Sequence, residues 1–236
     1  MLLSATPVRT AEDFAGISGV QAQLFENADL LAMNAGQYEC GFVLCTRCGF
    51  ADSMRSAIDE LPRLEGVPFR EHLPIAGKGV NSRPCWKDGE DGLVIRHLHL
   101  GAEHNTDLLQ LDLGRAGSLR APAMAMTFAH ALHLAAAEML EIDVREISLS
   151  TEEVRQGISW RFQLYDSDAG GSGHVADLIA REVELGEALL TVLRRDRAHD
   201  TRCRDACLRC LLTQESQDAY ASGLLDRRGL LDLLAG

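Results

Sequence analysis

The sharpest hydrophobic pattern in the chain lies at residues 158–166, ISWRFQLYD. Ile158, Trp160, Phe162 and Leu164 alternate with Ser159, Arg161, Gln163 and Tyr165. At the two-residue period of a strand, this places one apolar face opposite one polar face. Residues 106–113, TDLLQLDL, alternate in the same way at Leu109, Leu111 and Leu113 and predict a second strand. Residues 93–100 are apolar with β-branched members, and residues 145–150 make a further short strand. A helical period takes over at residues 118–140, where Met124, Phe128, Ala131, Leu132, Ala135 and Met139 recur at steps of three and four. Ser118 stands where an N-cap is expected. Beyond the loop DSDAGGSG, one helix is predicted over residues 174–195, with Val175, Leu178, Ile179, Val183, Leu189, Val192 and Leu193 as its apolar stripe. Two short helical pieces close the chain, the last in LLDRRGLLDLLA.

The remainder is weaker. Residues 1–36 read as mixed helix and loop ending in a turn at 34–36. Residues 40–91 are rich in Gly and Pro (Pro62, Pro68, Pro74, Pro84) and build little core of their own. There is no internal repeat. The predicted class is α+β, a mostly antiparallel sheet packed with helices, plus zinc-knuckle elements. The predicted organisation is an N-terminal extension at 1–39, a zinc-knuckle region at 40–91 and an α+β domain at 92–236.

Of the 236 residues, 46% are hydrophobic and 25% charged, the ordinary globular balance, which allows a sizeable core. No apolar run approaches the ~18 residues of a membrane span, so no transmembrane helix is expected, and the start lacks a basic region followed by a long apolar one. No membrane partner and a cytoplasmic location are therefore expected. The net charge of −12 argues against a surface that grips duplex DNA throughout and leaves room for a local basic strip. The bases are 21 Arg and only Lys78 and Lys87, which with abundant Ala and Gly points to a GC-rich, bacterial genome.

The seven cysteines, Cys40, Cys45, Cys48, Cys85, Cys203, Cys207 and Cys210, fall mainly into two clusters. With no secretory signal a disulfide framework is not expected, and Cys-x-x-Cys then means metal or redox chemistry. Cys45 and Cys48, followed by Gly49, form a zinc knuckle. Zinc needs two more ligands; His72 and Cys85 are the nearest, with Cys40 as competitor. In the second cluster, Cys203, Cys207 and Cys210 fall one ligand short of a closed site, and His199 and Asp200 lie near enough to supply it. Left open, such a site would hold a water and do chemistry.

Three further groups carry candidate chemistry. In LYDSDAGGSGH, the backbone N–H groups around Gly170, Gly171 and Gly173 open a helix as a phosphate cradle would, although neither GxGxxG nor a P-loop is present, and IAGKGV at 75–80 fails the same test. A tight strand–helix turn is the plain alternative. Asp166, Asp168 and His174 are a possible metal trio there. The run RRDRAHDTRCRDACLR sets Arg194, Arg195, Arg197, Arg202, Arg204 and Arg209 against Asp196, Asp200 and Asp205. This is a local basic island for phosphate backbone or a partner, or else a salt-bridged surface. His97, His99, His104, His130 and His133 lack the Glu of HExxH and read as satisfied polar contacts. With no GxSxG, Walker A or DExx motif complete, no catalytic residue is assigned.

Read in order, FVLCTRCGFA, HLP, Cys85, HLHLGAEHNTDLLQLDL, FQLYDSDAGGSGHVADL, CRDACLRCLL with Gln217, and LLDRRGLLDLL resemble the MrfA-type zinc-binding domain. That domain stands at the C-terminus of some bacterial DEAD/DEAH-box helicases, and related domains occur in the DrmB subunit of the DISARM phage-defence system. The resemblance covers roughly residues 40–236. It implies a zinc accessory module working with a helicase-type ATPase on DNA, in phage defence or DNA repair. It carries over Cys45, Cys48, His72 and Cys85, and Cys203, Cys207 and Cys210, as zinc ligands. The family's further Cys, two residues before the first of that trio, is Thr201 here. Two other readings stay open: a metal-dependent nuclease or hydrolase acting on nucleic acid, and a thiol redox switch.

Overall fold

The computed structural model describes residues 2–4, 6–36, 40–55, 63–64, 67–69, 72–73, 85, 94–114, 116–154 and 159–235. The strands are β1 (Leu2–Ser4), β2 (Arg9–Ala11), β3 (Gln21–Asn34), β4 (Phe42–Cys45), β5 (Ala51–Ser53), β6 (Arg63–Leu64), β7 (Val67–Pro68), β8 (Val94–Leu98), β9 (Leu100–Asp112), β10 (Ile147–Val154) and β11 (Ser159–Asp166). The helices are α1 (Pro122–Leu140), α2 (His174–Ala180), α3 (Glu182–Arg194), α4 (Arg197–Arg202), α5 (Gln217–Ala221) and α6 (Arg227–Ala235). The class is α+β. Leu31–Glu103 forms a smaller unit, and Leu2–Leu30 with His104–Gly236 a larger one. β1, β2 and most of β3 are strands of the larger unit's sheet.

In the larger unit the sheet order is β1-β3-β9-β11-β10, with β2 also on β3. Pairing of β11 with both β9 and β10 is antiparallel, and Phe162 stands between Leu111 and Thr151. The apolar face predicted for β11 is buried at Phe162 and Leu164; Ile158 lies outside the described residues. Phe162 meets Phe128 of α1 with ring centroids 6.3 Å apart. Leu109, Leu111, Leu132, Leu185 and Leu189 complete this core, each fully buried side chain contributing about 1.5–3 kcal/mol. The polar face of β11 is also covered. Gln163 donates to Gln110 and Gln110 to Gln23, so an amide ladder crosses three strands.

Four expectations change. Residues 1–36 are mainly strand, and β3 is 14 residues long. Its alternation is hidden because Asn27 turns left-handed (φ 49°) and switches faces. Ala22 and Leu24 enter the main core, whereas Phe25 and Leu30 join a second cluster with Leu108. Ser118 is not the cap of α1: it sits in a 3₁₀ turn, and the helix starts at Pro122, whose missing N–H costs nothing in the first turn. The helix predicted over 174–195 breaks at Arg181, which resets its phase. Val183 is consequently 71% exposed, and Leu185 takes its place in the core. Lastly, α1 is long and apolar enough by length and composition to cross a membrane. Here it is the core helix, with Phe128, Leu132 and Ala135 buried against sheet and α3.

His130 is buried on α1. Burial first, then the neighbouring His133, lower its pKa from 6.5 to about 4, while Glu215 opposes them. The unfolded chain takes up this proton near pH 6.5 and the folded chain only near pH 4. Stability from this residue is therefore complete above about pH 6.5 and falls as the pH drops towards 4, by at most about 3 kcal/mol. His130→Gln is expected to flatten that slope in urea midpoints measured across this range. A parent and variant with the same slope would refute it.

The smaller unit has a three-stranded sheet, β5-β4-β8, and the β6–β7 pair. The strand expected at 93–100 is β8, with residue 93 outside the described set. Its buried cluster is Val43, Cys45, Met54, Phe69 and Cys85. Two of these five described residues are thiols, so a metal held by them would staple the cluster together.

Candidate metal centres

The first centre grows from the end of β4. Cys45 closes the strand, its N–H donates to the Phe50 carbonyl, and the Gly49 N–H donates back to the Cys45 carbonyl. This knuckle requires Gly49 at φ 79° and turns both thiols the same way. Cys45 Sγ lies 3.9 Å from Cys85 Sγ, and Cys48 Sγ lies 3.2 Å from His72 Nε2. His72 Nδ1 donates to the Phe69 carbonyl at 2.7 Å, which leaves Nε2 as the lone pair facing the sulfurs. The imidazole stacks on Phe50, with centroids 4.7 Å apart. Burial first, then the neighbouring Cys48 and Cys45, push the Cys85 thiol up to about 12.

The second centre is assembled by α4 and the turn after it. Cys203 Sγ and Cys210 Sγ are 3.7 Å apart, and Cys207 Sγ and Cys210 Sγ 3.8 Å. Cys207 Sγ is 3.4 Å from Nε2 of His199. His199 Nδ1 is 3.3 Å from the Arg194 carbonyl, the same arrangement as in His72. Burial, then Cys210, push the Cys203 thiol up to about 12.

Both tetrads fit zinc. Ligand bonds of about 2.3 Å to sulfur and 2.0–2.1 Å to nitrogen, at tetrahedral angles, put sulfurs about 3.8 Å apart and sulfur and nitrogen about 3.5 Å apart. In each group the four ligand atoms lie within 4.8 Å of one another. A disulfide would need about 2.05 Å, and all seven cysteines are free thiols. Each group would offer a zinc ion four protein ligands, Cys₃His, the full set of a tetrahedral structural site.

Other candidates go elsewhere. Cys40 stays outside the first tetrad, and its carbonyl accepts from His97. Asp200 is not a ligand: its carboxylate takes Arg227 at 3.0 Å and Arg228 at 3.1 Å, which hold it below the usual carboxylate range. Thr201 is exposed and bonds only the Ala198 carbonyl among the described contacts, and His199 takes the fourth position instead.

The glycine loop is not an open phosphate cradle. Asp166 Oδ2 accepts the N–H groups of Ser172, Gly173 and His174 at 2.7, 2.7 and 3.2 Å, and Oδ1 accepts Val175 at 3.1 Å. The chain supplies its own anion to the start of α2, and Asp166 is completely buried. Gly171 is required because a Cβ there would lie 2.8 Å from the Asp107 carboxylate. The trio of Asp166, Asp168 and His174 is likewise not a metal group: His174 faces Glu146 at 3.5 Å instead. Asp166→Asn would turn an amide donor towards donors. A loss of about 2 kcal/mol in urea unfolding is expected; an unchanged midpoint would contradict this account of the loop.

The basic island is partly neutralised. Arg195 binds Glu138 through two bonds, at 2.7 and 2.6 Å, Arg209 pairs with Asp196, and Arg204 stands 3.8 Å from Asp205. Arg194, Arg197 and Arg202 make no ion pair among the described residues. His133 donates to the Val144 and Ile147 carbonyls, a satisfied core histidine.

Arg227 was missed by the sequence reading. Its guanidinium is fully buried and bonds the carbonyls of Cys203, Leu193 and Asp200 and the Asp200 carboxylate. It thereby ties the second centre's first cysteine to the ends of α3 and α4. The signal was present: Arg227 shares a helical face with Leu230, Leu231 and Leu234.

Residues 128–211 match the MrfA Zn-binding domain. The matched segment runs from α1 through the second centre and includes His199, Cys203, Cys207 and Cys210. Zinc is accordingly the ion of these Cys₃His groups. The chain is also similar in fold to a crystal structure of the DUF1998 helicase MrfA bound to DNA, with a TM-score of 0.52 and 14% identity. The alignment covers 99% of this chain and 24% of the helicase, so the chain spans about a quarter of that protein's length. A search of curated proteins found no match.

Proposed function

We propose that this chain is a non-enzymatic zinc module that partners a helicase-type ATPase on DNA, in phage defence or DNA repair, in the cytoplasm. The observation that carries the reading is the pair of closed Cys₃His centres in a fold similar to part of a DNA-bound helicase. A zinc ion with four protein ligands orders structure and has no site for an activated water. The sequence has no complete ATPase motif of its own, so the motor lies outside these 236 residues. Neither feature offered for a hydrolase supports one, because the Cys trio is closed by His199 and the Asp166 carboxylate is filled by N–H groups.

The test is affinity capture of the tagged, zinc-loaded chain from its native host, with bound proteins identified by mass spectrometry. Stoichiometric recovery of a helicase-type ATPase is the expected result; recovery of none would sink the partner assignment. Labelled single and double strands incubated with the purified chain and divalent metals should stay intact. Cleavage that follows the chain through purification would overturn the non-enzymatic part.

A further inference from the structure

A cavity of about 550 Å³ opens beside the second zinc centre. Arg202, Arg204, Arg209, Asp205 and Tyr220 line it together with three ligands of that centre, His199, Cys203 and Cys207. Its volume lies in the range of small-ligand clefts, about 300–1,000 Å³. Of its three guanidiniums, Arg209 is already paired with Asp196. Arg202 has no ion pair among the described residues, and Arg204 is 86% exposed, at a distance from Asp205 where screening leaves little attraction. Tyr220 is 47% exposed.

The backbone that carries this tyrosine is anchored, its N–H donating to the Ser216 carbonyl at 2.9 Å. Its neighbour Ala219 is buried. Ser216, fully buried, donates to the Leu211 carbonyl at 2.6 Å and accepts the Thr213 N–H at 2.8 Å. That fastens α5 to the segment directly after the ligand Cys210. The zinc centre thus places an aromatic ring and two weakly engaged arginines around one hollow.

We propose that this cavity binds one nucleotide of a single-stranded nucleic acid, its base stacked on Tyr220 and its flanking phosphates held by Arg202 and Arg204. An aromatic platform stacks any unpaired base, and guanidinium forks match phosphate oxygens. In a duplex the base faces are already stacked, so the ring gives it no advantage. The proposal rests on the reading that the chain works on nucleic acid, and it adds which form and which residues. An overall charge of −12 makes the contact local and salt-sensitive.

The test uses the full zinc-loaded chain and fluorescence anisotropy with a short labelled oligothymidine and a duplex of equal length. Tyr220→Ala is expected to weaken single-strand binding by about 5- to 100-fold, with Tyr220→Phe close to the parent and duplex binding unchanged. Arg202→Gln should lower the salt slope on single strands by about 0.7. Zinc content is measured on every variant. Equal binding by the parent and a zinc-replete Tyr220→Ala chain would overturn the proposal. So would an Arg202→Gln chain that loses zinc but not strand affinity, because the arginine would then only balance the thiolates. If an ATPase is captured yet the parent binds no strand, the cavity is a protein contact: this inference fails and the partner reading stands. Tyr220-dependent strand binding without a captured ATPase would mean the reverse.

Discussion

Replacing Cys207 by Ser is expected to lower the zinc content from two ions per chain to one. Cys207 is central to the second tetrad, 3.8 Å from Cys210 and 3.4 Å from His199. A serine hydroxyl does not ionise near neutral pH and is a poor zinc ligand, so three groups would remain where a closed site needs four. Binding of structural zinc to zinc-finger peptides is worth about 10–16 kcal/mol, and that free energy is folding free energy. The core under α1 and α3 takes Cys210, Leu211 and Ala219 from residues 197–221 and the rest of its buried side chains from elsewhere, so the loss should centre on that segment itself. Residues 197–221 should lose protection from hydrogen exchange while β9, β10 and β11 keep theirs. Acidification should act in the same direction, since protons compete with zinc for the thiolates, and burial with neighbouring sulfurs holds the metal-free Cys203 thiol up at about 12. Two zinc ions and an unchanged melt in Cys207→Ser would refute the assignment. Cys45→Ser should remove the other ion and loosen only the smaller unit, whose buried cluster is Val43, Cys45, Met54, Phe69 and Cys85.

Arg227→Met should cost about 3–5 kcal/mol, far more than Arg228→Met one residue on. The two arginines share Asp200, but Arg228 is half-exposed and Arg227 is completely buried. Removing the Arg227 guanidinium strands the Cys203 and Leu193 carbonyls and leaves Asp200 with only its exposed partner. A buried acceptor without its donor bears the full desolvation cost, about 1–3 kcal/mol each. Arg227→Lys should not rescue, because an ammonium cannot fork to acceptors on three segments. Denaturation midpoints with and without chelator check this. The difference between parent and variant should shrink once zinc is removed, because Arg227 holds the carbonyl of a zinc ligand. Near-equal effects of the two arginine variants would show that burial at Arg227 carries no special weight.

Much of the α+β fold was legible wherever one period ran unbroken. β11, β9 and α1 follow from alternation and three–four spacing, since each of those faces meets a single environment. β3 escaped because the left-handed turn at Asn27 exchanges its faces midway. The single helix expected at 174–195 failed for a related reason: a break at Arg181 is a change of phase that composition does not mark.

By itself the sequence determined what is local. Cys45, Cys48 and Gly49 specify a knuckle because thiols three apart need only one turn to converge, and Cys203, Cys207 and Cys210 are spaced closely enough to meet without help. Only the tertiary structure decided the choices made over longer distances. His199 rather than Asp200 faces the cysteines because Arg227, from α6, binds the Asp200 carboxylate. His72 and Cys85 reach a knuckle far back in the chain, while Cys40, nearer in sequence, remains outside. From sequence the glycine loop reads as either a phosphate cradle or a tight turn, and the Asp166 carboxylate among its N–H groups makes it the turn. In each case a polar group has more than one possible partner along the chain, and which one it takes depends on packing that brings distant segments within bonding distance.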